Sequence, residues 1–131
     1  MIKLPVGKQP TLRIKTRPND ANPAGDIFGG WLMSQIDMAG AIVAGERTKG
    51  PVVTVAVKNL TFIKPLYIYD VVSFYAEVVG VGRTSINVKV EVFAQRNTNG
   101  YNEESIIKIS DADLVYVAVS EPGKPRAVPN A

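Results

Sequence analysis

The stretch "NPAGDIFGGWLMSQIDMAGAIVAG", residues 22 to 45, places one carboxylate, Asp37, inside a run that is otherwise almost entirely apolar. Ahead of that run stand three glycines, Gly25, Gly29 and Gly30. At helical spacing Met33, Asp37, Gly40, Ala41 and Ala44 share one side, and Leu32, Ile36, Ala39 and Val43 another. Small residues beside a carboxylate let a second backbone or a thin ligand come close. Glycines at a helix start leave unpaired N–H groups where the helix dipole favours negative charge, and such a terminus can hold a carbonyl oxygen while charge develops on it. Together these features describe a site for attack on a carbonyl. The plainer alternatives are that Asp37 is a solvated polar residue or half of an ion pair, and that the glycines only make a turn.

Composition limits what else can take part. The 131 residues contain no cysteine and no histidine, which excludes disulfides, thiolate nucleophiles, histidine-based triads and His- or Cys-ligated metal sites. Acid–base chemistry is left to carboxylates, lysine, tyrosine, or water held by amides and hydroxyls. A net charge of +3 is too small to mark a nucleic-acid binder. Lys58, Lys64, Arg83, Lys124 and Arg126 gather near predicted loop ends, where a small polyphosphate suits them better than a duplex does. The first residues carry no apolar signal core, and the longest apolar run is interrupted by Ser34, Gln35 and Asp37, so a soluble, cytoplasmic protein without a membrane partner is expected.

The elements that must position Asp37 follow from periodicity. "TLRIKTRPND" reads as a short strand and a loop, and the apolar segment from about Gly30 to Arg47 as one long helix ending before Gly50-Pro51. Everything after Pro51 reads as strand: "VVTVAVKNLTFIKP", "DVVSFYAEVVGVG", "TSINVKVEVFAQR" and a long "ESIIKISDADLVYVAVS" that bends near Asp111 to Asp113. Short connections suggest that these four strands form an antiparallel meander. The proline-rich tail, about residues 121–131, should lie along the surface without regular structure. One domain spanning residues 1–131 is expected, of α+β class, with a curved antiparallel sheet wrapped around the helix. Its exposed edge strands favour pairing with a second copy.

The segments "DANPAGDIFGGWLMSQIDMAGAIVA", "VVTVAVKNLTFIKPLYIYDVVSFYAEVVGVGRTSINVKVEVF" and "GKPRAVP" resemble hotdog-fold acyl-CoA thioesterases, of the bacterial YciA type and the mammalian cytosolic acyl-CoA hydrolases. The likeness runs from about Thr11 to Pro129 with its elements in family order. It implies a hotdog fold, a homodimer assembled as a trimer of dimers, and an acyl-CoA substrate bound at the dimer interface. Coenzyme A is then part of the substrate, and no separate cofactor or metal is needed. By the same resemblance Asn22 and Asp37 are the catalytic pair, contributed by opposite subunits, with Asp37 acting as general base or as nucleophile. The backbone amides of Gly25, Phe28, Gly29 and Gly30 would polarise the thioester carbonyl. Arg83, Thr84 and Ser85 of "GRTS" fall near where the family holds coenzyme A. Lys64 is a candidate for its phosphates, and Thr54 for a residue projecting into the site.

The resulting expectation is hydrolysis of acyl-CoA thioesters. A carboxylate drawn out of water becomes a stronger base, and the coenzyme A thiolate leaves readily, so a site without histidine suffices. A hotdog dehydratase or hydratase, which generally relies on a histidine, ranks well behind. A non-catalytic acyl-CoA binding or regulatory module is the alternative from a different class, and it would have no need of Asp37.

Overall fold

The structure is a computed structural model that describes residues 2–96 and 105–130. Its elements are β1 (Leu12–Lys15), a single 3-10 turn at Pro18–Asp20, α1 (Gly29–Thr48), β2 (Val52–Phe62), β3 (Val71–Val81), β4 (Ser85–Gln95), β5 (Ile106–Glu121) and the two-residue β6 (Lys124–Pro125). The last strand was expected to start at Glu104, which lies outside the described residues. Among the described residues no helix is long and apolar enough to cross a membrane.

Strict alternation decides which side of the sheet faces the helix. Ile86, Val88, Val90 and Val92 of β4 sit opposite Tyr116, Leu114, Ala112 and Ser110 of β5, and all eight are buried. Phe74 and Val72 extend the same layer on β3. Against it α1 buries Leu32, Ile36, Ala39, Gly40 and Ala44. This is the hotdog arrangement, a sheet wrapped on one long helix.

The strand order departs from a simple meander. Strands β3, β4 and β5 follow one another, but β2 pairs with the far side of β5, giving the order β1-β3-β4-β5-β2 with every pairing antiparallel. The connection across residues 63–70 is too long for a tight hairpin, and it contains Pro65, so it carries the chain from the β2 edge across to β3, next to β1, instead. The irregularity in β5 also falls slightly earlier than expected. The β4–β5 register slips between Val92 and Phe93, around Ile109, while Asp111, Ala112 and Asp113 keep regular partners.

That crossing segment is fixed by a buried ion pair. Asp70 accepts hydrogen bonds from Arg96 at 3.1 Å (Nε to Oδ1) and 2.8 Å (Nη2 to Oδ2), and Arg96 also donates to the Pro65 carbonyl and stacks over the Tyr67 ring. The Asp70 side chain is only 2% exposed. The tail is likewise held rather than loose. Arg126 donates to the carbonyls of Thr48 and Val119, and Arg47 to that of Pro129, so the end of α1 and the tail secure each other. A cation at a helix C-terminus satisfies carbonyls that have no partner within the helix.

Coverage of α1 is one-sided. Met33, Met38 and Ile42 remain exposed on it, and β2, at the edge of the sheet, exposes Val53, Val55, Val57 and Phe62. Val57 and Phe62 stand opposite the inward Leu114 and Ser110, on the helix side of the sheet, while Val53 stands opposite Val117 on the other face; apolar residues beside an exposed strand edge are the combination that a second chain covers.

Arg96→Ala would leave the Asp70 carboxylate buried without its partner, at a cost of about 3–5 kcal/mol. Urea denaturation should show that loss as a lower midpoint with an unchanged slope.

Candidate active site

Asp37 lies in the third turn of α1, half-buried, at the point where the helix faces β2 and β5. Two hydroxyls reach its side chain from the sheet. Thr54 of β2 donates to Oδ1 at 2.6 Å, and Tyr116 of β5 stands 3.1 Å from the same oxygen. The Tyr116 hydroxyl also donates to the Asp37 main-chain carbonyl at 2.7 Å. Thr54 and Tyr116 are direct cross-strand partners, so the β2–β5 register itself sets the two hydroxyls side by side. Among the described residues no hydrogen bond reaches Oδ2.

The Tyr116 ring is wholly buried and fits only because residue 40 is glycine. A Cβ at Gly40 would overlap the Tyr116 hydroxyl and come within 2.9 Å of two ring carbons. Burial, and then the neighbouring Asp37 carboxylate, raise the Tyr116 phenol well above the ordinary value of 10.0, so it remains a protonated donor. Beside Asp37 a mainly apolar cavity of about 230 Å³ opens between Met33, Ile36, Val57, Leu60 and Leu114.

Asn22 stands elsewhere in the same chain. It lines a separate cavity of about 320 Å³ with Phe28, Gly29, Phe62, Lys64 and Pro65. Its Oδ1 accepts from the amides of Ala24 (3.0 Å) and Asp26 (3.1 Å), which closes the loop on itself. Only its amide nitrogen is left without a hydrogen bond among the described residues, which leaves one donor of this cavity-lining residue available. No single chain brings Asn22 and Asp37 into one cavity.

The four amides expected to polarise a carbonyl are not equivalent. The Gly25 amide donates to the Asn22 carbonyl and the Phe28 amide to that of Asp20, so both are occupied within the loop. Gly25 has φ +94°, a left-handed value that suits glycine, and its role is to turn the chain. Gly29 and Gly30 open the helix with exposed backbone, and among the described residues neither amide has an acceptor.

The expected phosphate-binding residues divide similarly. Lys64 is exposed at the Asn22 cavity, and Arg83 is exposed in the β3–β4 turn with its carbonyl accepting from Val128. The Thr84 carbonyl accepts from Ala118, and Ser85 packs over Gly82, so both shape the turn. None of residues 83–85 lines the Asp37 or the Asn22 cavity. Thr54, expected to project into the site, lines the Asp37 cavity and donates to the carboxylate. Among the tail cations, Arg126 is engaged with the carbonyls of Thr48 and Val119, and Lys124 pairs with Glu121 at the exposed surface. Among the described residues no cluster of three or more Asp or Glu could hold a metal. Sequence reasoning passed over Tyr116; the available signal was a phenol at an inward position of an alternating strand, where every neighbour is aliphatic or small.

The family model described as the thioesterase superfamily matches residues 24–101. Among curated relatives, acyl-CoA thioester hydrolase YciA of Escherichia coli is 46% identical over 118 residues, covering 90% of this chain and 89% of its own. Among solved structures, a hexameric thioesterase from Yersinia pestis superposes with a TM-score of 0.87 at 43% identity, covering 98% of this chain and all of its own. The Asp-to-Ala mutant of a hexameric broad-specificity acyl-coenzyme A thioesterase superposes at 0.86 with 44% identity, covering 93% and 87%.

The protonated state of Tyr116 has a consequence for stability. The unfolded chain releases this proton near pH 10.0 while the folded chain retains it, so its contribution is complete below that pH and is lost as pH rises above it. Urea unfolding of wild type should weaken on the alkaline side of that value, and Tyr116→Phe should show a shallower decline.

Proposed function

The chain belongs to the thioesterase superfamily, and on that premise we propose that it hydrolyses acyl-CoA thioesters in a site completed by a second copy of itself. One observation carries this reading. Asp37 has one oxygen held by Thr54 and Tyr116 and, among the described residues, no donor on the other, which stands beside an apolar cavity, while Asn22 and Gly29 line a different cavity with Gly30 next in the chain. Two chains related by a twofold axis, joined along the exposed β2 edge, can set the Asp37 side of one against the Asn22 side of the other.

In such a site the acyl chain lies among Met33, Val57, Leu60 and Leu114, and Oδ2 of Asp37 takes the proton of a water as that water attacks the thioester carbon. The Gly29 and Gly30 amides of the partner subunit receive the developing oxyanion at a helix N-terminus. The Asn22 amide nitrogen orients the water by donating to its oxygen. Collapse of the tetrahedral intermediate breaks the carbon–sulfur bond and releases the acid and coenzyme A as thiolate. Direct attack by Asp37 to form an anhydride, which water then opens, satisfies the same geometry. Lys64 and Arg83 are the exposed cations assigned to the coenzyme A phosphates. No cofactor enters, and the proposed assembly is a trimer of dimers, a reading supported by the hexameric state of the similar solved structures.

Asp37→Asn should lower kcat by about 10²–10⁴-fold, the range for loss of a general base, with the fold and oligomer intact by circular dichroism and sedimentation. Release of thiol from a panel of acyl-CoAs is the readout, and undiminished turnover refutes the role of Asp37. Binding without thiol release from any of them, in the wild type, would point to a binding module instead.

A mixed-oligomer experiment tests the division between subunits. Asn22→Ala and Asp37→Asn chains, each inactive alone, should regain activity when refolded together, because one site of each mixed dimer then holds both native residues. No recovery would place the pair within one chain.

A further inference from the structure

Resting on the assignment of Asp37 just made, we propose that Tyr116 is a positioning residue for the reaction: its buried hydroxyl, paired across the sheet with Thr54, locks Oδ1 of Asp37 and thereby reserves Oδ2 for chemistry. The geometry is specific to this purpose. A tyrosine needed only for packing could satisfy its hydroxyl on a single acceptor, yet this one sits 2.7 Å from the Asp37 carbonyl and 3.1 Å from its carboxylate at once. Its single proton is shared between the two acceptors, with the shorter contact to the carbonyl, so one hydroxyl spans backbone and side chain of the same residue and restricts the torsion between them.

The surrounding sequence makes room for that grip. Gly40, one turn beyond Asp37, leaves the space that the ring occupies, although glycine inside a helix costs about 1 kcal/mol relative to alanine. Ile86, opposite Tyr116 on β4, and the rest of the buried layer hold the ring from the sheet side. Thr54 cannot do this alone. It lies on an exposed edge strand, next to a register slip between Thr54 and Ala56, so its hydroxyl is set by a less rigid frame than the interior strand that carries Tyr116. The high proton affinity of the Tyr116 phenol is consistent with a donor that keeps its proton throughout the working range.

Tyr116→Phe keeps the ring and deletes only the hydroxyl. In the assembled enzyme it should reduce kcat about ten-fold or more, the scale of one hydrogen bond to a charged group, with KM changed less than about two-fold because no substrate contact is lost. Removing a donor from the carboxylate should also shift the acidic limb of the kcat/KM profile upward by on the order of one pH unit. Combining it with Thr54→Val should give a non-additive loss, since both donors serve one oxygen. Wild-type kcat with an unmoved acidic limb overturns the proposal. So does a loss of activity that tracks a lowered melting temperature while the limb stays fixed.

If the phenylalanine variant does not assemble, 3-fluorotyrosine incorporated at position 116 retains ring and hydroxyl. Its more acidic hydroxyl donates more strongly, so the limb should move to lower pH, and an unshifted limb would refute the role. The parallel Asp37→Asn measurement separates the two levels. An inactive Asp37→Asn enzyme beside a normal Tyr116→Phe enzyme refutes only the positioning role, whereas an active Asp37→Asn enzyme refutes both.

Discussion

Leu32, Ile36, Ala39 and Ala44 bury against the concave face of the sheet, and that packing sets the height at which the helix meets β2 and β5. Asp37 lies where the helix turns from the covered to the open side. Its position is therefore a consequence of hydrophobic burial on one side and of a missing neighbour on the other. The sheet answers it with two hydroxyls from adjacent strands. A carboxylate at the margin of a core needs such donors, because leaving it without them is costly. The same bonds that make its location tolerable also fix its direction.

The loop that carries Asn22 is organised by different forces at a different place. Asn22 Oδ1 closes the turn, the Ile27 amide donates to the Leu66 carbonyl, and the Asp70–Arg96 pair fixes the crossing segment to which Leu66 belongs. Leu66 and Asp70 anchor the otherwise exposed crossover, and this network ties it to the loop without drawing on the Asn22 amide nitrogen or the Gly29 and Gly30 amides. Among the described residues, those three donors have no acceptor and Asp37 Oδ2 has no donor. The two sets are chemically complementary and lie at separate cavities of one chain.

Much of this was legible in the amino-acid order. Asp37 declared itself by being charged in an apolar run, and Gly29 and Gly30 by preceding a helix, because burial and helix termini have local signatures. Alternation in "TSINVKVEVF" gave the buried face of β4 correctly. Pairing partners did not show, since periodicity tells which way a strand faces and not which strand lies beside it, and β2 was accordingly placed next to β3. Arg126 was read as a candidate phosphate contact because a guanidinium binding main-chain carbonyls and one awaiting a phosphate look alike in sequence. The amides of Gly25 and Phe28 were counted as open for want of the loop bonds that occupy them. Tyr116 was invisible for the opposite reason: it obeys the alternation so well that its hydroxyl is hidden by its ring.

The β2 edge has one further implication. Its first six residues, "VVTVAV", combine β-branched side chains with no charge and no proline, and they lie at an unpaired edge. Segments of that composition template cross-β stacking when a chain is alone and unprotected. A newly made copy thus presents an aggregation hazard until another copy finds it. Under the proposed pairing along β2, self-association would shield this segment as well as complete the site, so a substitution that blunts β2 trades solubility against assembly.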